Sequence, residues 1–302
     1  MDMETKPQFK CRNCKVCNGY GCIDQMPGMG GPNHNRNFIL NCAAWKDAYK
    51  TLSEDTIAKL NGQPAAIRLA PMTGAVENVG YEDEKNFYSD LVHACLEAGA
   101  LLSIGDGCPD TKLQFGIEAV KKENAKASVF IKPYTNEKIF ERLEWADGIM
   151  DACGVDIDSY NIITMRNKVN LEKKTASQLK ELQTHLNAKG IPFAVKGVFT
   201  QEDLDLVCEL KPDIIYVSNH GGRVETEEGS VFDFLSVHKT LLEKNCGQIW
   251  VDGGIRTRND ILTAQAYGAQ CILLGRPFAT ALCYDKANGI QSLMQNLTGG
   301  AA

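Results

Sequence analysis

The stretch QIWVDGGIRTRNDILTAQAYGAQCILLGRP, residues 248–277, decides how the chain is read. It opens on a short apolar run that closes on glycine (248–254). A helix-length segment follows from Thr257, and a second apolar run (271–277) ends on Gly-Arg-Pro. Short apolar runs bounded by turn residues are the pattern of buried parallel strands. Working outward, the same pattern recurs as AAIRLAP (65–71), LLSIGDG (101–107), SVFIKP (128–133), GVDIDSY (154–160), PFAVKGV (192–198) and DIIYVSN (213–219). Between the runs lie amphipathic segments. One is 83–98, with Phe87, Leu91, Ala94, Cys95 and Ala98 at helical spacing, and others open on cap-type threonines at 135, 200 and 257. Eight strands, each followed by a helix, predict an α/β fold of the closed (β/α)8 (TIM) barrel type rather than an open doubly wound sheet.

The remaining composition fits that frame. The chain has 302 residues, a formal charge of -6 and 23% charged residues, which argues against a nucleic-acid surface or an anionic membrane as main partner. No apolar run approaches the roughly 20 residues that a membrane-spanning helix needs. The start, MDMETKPQFK, has no apolar core of a signal peptide. Twelve cysteines scattered through strand-like and helix-like segments suit a reducing compartment, so a cytoplasmic protein is expected. The expected organisation is a Cys-rich arm and lid over 1–60, the barrel over 61–292 and a tail over 293–302.

In a barrel of this kind the chemistry collects at the C-terminal ends of the strands. Polar residues gather there: Ser103, Asp106, Lys132, Asp156, Asp158, Lys196, Ser218, His220, Asp252 and Arg276. Packing does not explain charge in such a ring, so His220, in VSNHGGR (217–223), is not a generic core histidine. Glycines end strands seven and eight directly before helices, where backbone N–H groups and a helix N-terminus can meet an anion. A phosphorylated cofactor or substrate is therefore expected.

From Ala65 to about Ala281 the chain resembles the FMN-dependent α-hydroxy-acid oxidase and dehydrogenase family, the group of glycolate oxidase and L-lactate oxidase. The residues carrying the resemblance are Lys196 in VKG, SNHGGR at 218–223, DGGIR at 252–256 and GRP at 275–277. The resemblance implies FMN and the oxidation of a small 2-hydroxy acid to the 2-oxo acid. His220 would then be the base, Asp158 the group that orients its ring, Arg223 the clamp on the substrate carboxylate, and Lys196 the cation beside the flavin. Ser218 and Asp252 would hold the ribityl chain, Gly253, Gly254, Gly275 and Arg276 the phosphate, and Arg256 is a further cofactor-binding residue. Pro71, Met72, Thr73, Ser103, Lys132 and Asp156 complete the implied flavin site, and Arg166 is a loose match to a second substrate arginine. The acceptor would be oxygen or an electron-transfer protein, and a homo-oligomer is expected.

The chain also departs from that pattern. The family's N-terminal helices have no evident counterpart. FIKPY places Lys132 where the family has Gln, Asp156 stands for a Thr, and APMTG (70–74) is similar to a motif of type 2 isopentenyl-diphosphate isomerase, another FMN barrel. A flavin-dependent isomerase and a redox-inactive phosphate-ligand barrel are therefore the alternatives. Cys11, Cys14, Cys17 and Cys22, in CRNCKVCNGYGC, form a C-x2-C-x2-C-x4-C run that can hold zinc or an iron–sulfur cluster, or simply be part of a cysteine-rich arm over the barrel mouth.

Overall fold

A computed structural model describes residues 36–78, 81–161, 169–224 and 226–300. Two helices, α1 (Arg36–Tyr49) and α2 (Glu54–Asn61), lead into β1 (Ala66–Leu69), α3 (Ala75–Asn78) and α4 (Glu84–Glu97). The alternation continues through β2 (Ser103–Gly105), α5 (Thr111–Lys122), β3 (Ala127–Ile131), α6 (Asn136–Trp145), β4 (Met150–Asp156) and α7 (Ala176–Ala188). It ends with β5 (Phe193–Val198), α8 (Gln201–Leu210), β6 (Ile214–Val217), α9 (Val231–Asn245), β7 (Gln248–Val251), α10 (Arg258–Ala266), β8 (Cys271–Leu274) and α11 (Arg276–Thr298). All eight strands are parallel, and β1 pairs with β8. The ring closes between β1 and β2, where the Leu101 N–H donates to Ile67 O at 3.0 Å and the Leu69 N–H donates to Leu101 O at 2.8 Å. The (β/α)8 barrel is confirmed.

The barrel interior is a small cluster distinct from the apolar shell between strands and helices. Phe130, Tyr216 and Trp250 meet edge-on or tilted, with ring centroids 5.4 to 6.4 Å apart. Gly154 faces them, and a Cβ there would lie 2.8 Å from Phe130 Cε1, so the aromatic filling requires a bare position on β4. Helix starts are set as the threonines suggest: Thr200 and Thr257 form reciprocal capping boxes with Asp203 and Asp260, and Thr135 accepts from the Lys138 N–H.

Three expectations are corrected. β4 runs 150–156, not 154–160, because the polar start of the strand, Met150-Asp151, hides it; Asp158 therefore lies past the strand, before a 3-10 turn at Ser159–Asn161. Helices at Arg36–Tyr49 and Glu54–Asn61 show that the chain does have helices ahead of the barrel, where no counterpart was evident. α11 continues through residue 293 to Thr298, with a break at Asp285 and Lys286. Cys11, Cys14, Cys17, Cys22 and Arg166 lie outside the described residues. Among the described residues no helix is long and apolar enough to cross a membrane.

Candidate active site

The strand ends surround a cleft with about 890 Å³ of empty space. Its walls include Pro71, Met72 and Thr73 after β1, Lys132 after β3, Asp156 on β4 and Lys196 on β5. Across from these stand His220, Arg223, Asp252, Gly253, Gly254, Arg256, Gly275 and Arg276, from the ends of β6, β7 and β8. Among the residues expected at the site, Ser103, Asp158 and Ser218 are buried and do not line the cleft; Asp158 and Ser218 touch His220, whereas Ser103 does not. Asp106 reaches the cleft, but its carboxylate is tied to the wholly buried guanidinium of Arg142 on α6 at 2.9 Å.

A chain of polar contacts crosses the floor. Lys196 Nζ donates to Asp156 Oδ1 at 2.6 Å, Ser159 Oγ donates to Asp156 Oδ2 at 2.7 Å, and Lys132 Nζ donates to Ser159 Oγ at 3.1 Å. His220 Nδ1 lies 3.2 and 3.3 Å from the two oxygens of Asp158 and 3.4 Å from Lys196 Nζ. Asp158 reaches the ring because residue 197 has no side chain: at φ +96°, a Cβ on Gly197 would sit 2.5 Å from Asp158 Cγ. The glycine of VKG is thereby explained.

His220 itself has φ +57°, a left-handed conformation that a non-glycine residue adopts only when its surroundings hold it there. Asn219 does the holding, since its Oδ1 accepts from the Gly222 N–H at 2.8 Å. The His220 N–H donates to Ser218 Oγ at 3.0 Å. Ser218 Oγ in turn donates to Asp252 Oδ1 at 2.6 Å, while the Tyr216 hydroxyl donates to Asp252 Oδ2 at 2.7 Å.

The electrostatics separate the two carboxylates. Burial opposes ionisation of Asp156, but the cations of Lys196 and Lys132 and the neighbouring His220 hold it well below the usual carboxylate range. Burial and the charge of Asp156 push Asp158 well above that range. Burial, then Lys196, drives His220 well below the ordinary imidazole value. Burial works against the charge on Lys196 too, yet Asp156, Asp158 and Asp252 keep it charged, with its pKa above the lysine range. His220 and Asp158 thus titrate as a pair beside the Asp156–Lys196 ion pair. When the pair holds one proton, on Nδ1, the far nitrogen Nε2 is free to accept another.

The part of the site that sequence reasoning missed comes from α1. Asn41 and Asn219 exchange side-chain hydrogen bonds (2.8 and 3.1 Å), and the Trp45 indole N–H donates to Gly253 O at 2.7 Å. Asn37 donates to Val224 O at 2.7 Å and Glu227 O at 2.8 Å. Gly254, at φ +79°, is required less by an anion than by this helix, because a Cβ there would lie 2.7 Å from Asn41 and Cys42 backbone atoms. The signal was present: Phe38, Asn41, Trp45 and Ala48 are all buried and recur at helical spacing.

Comparison with known proteins agrees with this architecture. The family of FMN-dependent dehydrogenases matches residues 116–300. Human (Homo sapiens) 2-hydroxyacid oxidase 2 is 38% identical over 108 residues, 36% of this chain and 30% of that protein. The L-lactate dehydrogenase (cytochrome) of Saccharomyces cerevisiae is 30% identical over 200 residues, 65% of this chain and 29% of its own length. The matches therefore span only about a third of these relatives. Among solved structures, the flavin-binding domain of baker's yeast flavocytochrome b2 superposes with a TM-score of 0.68 at 18% identity, covering 91% of this chain and 75% of that one. A mandelate oxidase gives 0.65 at 18% identity, covering 95% and 90%.

Proposed function

Because this chain belongs to the family of FMN-dependent dehydrogenases, we propose that it oxidises a small 2-hydroxy acid to the corresponding 2-oxo acid. The observation that carries the reading is His220 lining the cleft with Asp158 and Lys196 in contact with its ring and Arg223 lining the same cleft. A 2-hydroxy acid must give up two electrons and two protons. His220 Nε2 takes a proton as a general base, and Asp158 steadies the imidazolium that results. Arg223, which makes no ion pair to a carboxylate among the described residues, presents a planar fork to the substrate carboxylate.

The residues fit FMN. Arg256 Nη2 and Arg276 Nη1 are buried with no hydrogen-bond partner among the described residues, at the ends of β7 and β8 where barrels hold phosphate. FMN, when bound, supplies the two-electron acceptor. Arg256 and Arg276 would hold its phosphate, Ser218 and Asp252 its ribityl chain, and Pro71, Met72, Thr73, Lys132 and Asp156 the rest of its surroundings. Lys196 would stabilise negative charge on it. Electrons would leave to oxygen or to an acceptor protein.

An anaerobic titration tests the proposal. A panel of 2-hydroxy acids is added to the flavin-loaded protein, and one of them should bleach the flavin absorbance. His220→Gln should keep FMN and lose that bleaching; a rate within tenfold of the parent would remove His220 from the role. A flavin that no acid of the panel bleaches would favour the isomerase reading, and a protein that takes up no flavin the redox-inactive barrel.

A further inference from the structure

We infer that Phe38 is a positioning residue for the cofactor phosphate: from α1 it supplies an aromatic ring that the guanidinium groups of both Arg256 and Arg276 approach. This rests on the flavin reading above.

Phe38 is 3% exposed and lines the cleft. The guanidinium carbon of Arg276 lies 4.3 Å from its ring centroid and that of Arg256 lies 5.3 Å away. Two guanidinium groups brought together out of water repel each other. Burial, then the charges of Arg223 and Arg256, lower the pKa of Arg276 well below the arginine value. Something must hold the arginines in place before an anion arrives. Among the described residues no carboxylate forms an ion pair with either of them.

A carboxylate would be a poor choice here. It would hold the cations, but it would also consume their N–H donors and cancel the charge that a phosphate needs. The face of a phenyl ring attracts cations through its quadrupole and accepts no strong hydrogen bond from their edges. The donors that remain bear this out. Arg276 gives Nη2 to Gly221 O at 2.8 Å and Arg256 gives Nη1 to Ile255 O at 2.9 Å, leaving Arg276 Nη1 and Arg256 Nη2 unspent. A dianionic phosphate monoester is the ligand class that this pair of forks fits. The ring therefore contributes to discrimination between FMN and riboflavin, which lacks the phosphate, and it does so from a helix outside the barrel.

The test is the ratio of riboflavin Kd to FMN Kd, measured by quenching of flavin fluorescence on the full chain after its flavin is removed. In Phe38→Leu this ratio should fall about tenfold, within the range of two desolvated cation–π contacts. Riboflavin affinity should stay within twofold of the parent. A role confined to packing would weaken both flavins alike and leave the ratio unchanged, which would overturn the assignment. Should the leucine variant not be recovered folded, Phe38→Met offers a flexible side chain that can adapt to the space without a ring, and is read by the same ratio. A parent protein that binds neither flavin overturns the flavin reading together with this one. A parent that prefers FMN, with an unaltered ratio in the variant, overturns only the role of Phe38.

Discussion

Replacing Gly197 with alanine puts a methyl group where Asp158 now lies. The built Cβ is 2.5 Å from Asp158 Cγ and 2.8 Å from Oδ1. Carbon atoms in ordinary contact stand about 3.5–4.0 Å apart, so the carboxyl group has to retreat by roughly 1 Å. Its bond to His220 Nδ1 has no slack for this, since 3.2 and 3.3 Å are already long for a hydrogen bond. A misplacement of about 1 Å at a reacting group costs on the order of 100-fold in rate. Two further costs fall on stability: roughly 1–2 kcal/mol for a Cβ in the left-handed region and about 1–3 kcal/mol for overpacking. Stopped-flow reduction of the loaded flavin under anaerobic conditions reads the first effect, and urea unfolding reads the second. The expected variant folds, holds FMN and is reduced about 100-fold more slowly by the same acid. A folded, flavin-loaded variant reduced within threefold of the parent would refute the claim that Asp158 aligns His220.

The pair should also set the pH dependence. The base-competent form appears as the His220–Asp158 pair goes from two protons to one, so flavin reduction should rise with pH along an acid limb. In Asp158→Asn the only base left is His220, whose pKa burial and Lys196 hold low; the limb should move to lower pH and the plateau should drop, and a limb that stays in place would count against the pair. On the stability side, Arg142→Met leaves the buried Asp106 without its partner and should cost about 3–5 kcal/mol in urea unfolding. A loss under about 1 kcal/mol would show that Asp106 is satisfied by the Gly107 and Lys132 N–H groups alone.

The barrel was legible because its strands are buried on both faces and so stand out as apolar runs. β4 was placed late for the same reason inverted: its second residue is Asp151, whose charge is met by Arg68 of β1 at 3.1 Å, a contact between distant positions that no local pattern reveals. At the site, His220, Asp158, Lys196 and Asp156 could be placed because strand ends locate them. Why residue 197 is glycine could not be read, since the atom it must avoid belongs to a different strand end. Ser103 was expected at the cleft as a polar residue at a strand end, but β2 runs Ser103–Gly105, so it sits at the start of the strand and the cleft is reached only at Gly105 and Asp106. The contribution of α1 was obscured by an unusual buried face, in which two asparagines, Asn37 and Asn41, take positions that amphipathic patterns reserve for apolar side chains.

That face also dictates an order of assembly. Asn41 lies 178 residues before Asn219, and Trp45 lies 208 residues before Gly253. At roughly 5–20 residues per second of synthesis, the partners of α1 do not exist until on the order of ten to forty seconds after it has been made. Through that interval its indole and amides have only water or temporary contacts to satisfy them. The turn that keeps His220 in its left-handed conformation therefore gains its contact with α1 only after a long stretch of the barrel has been made.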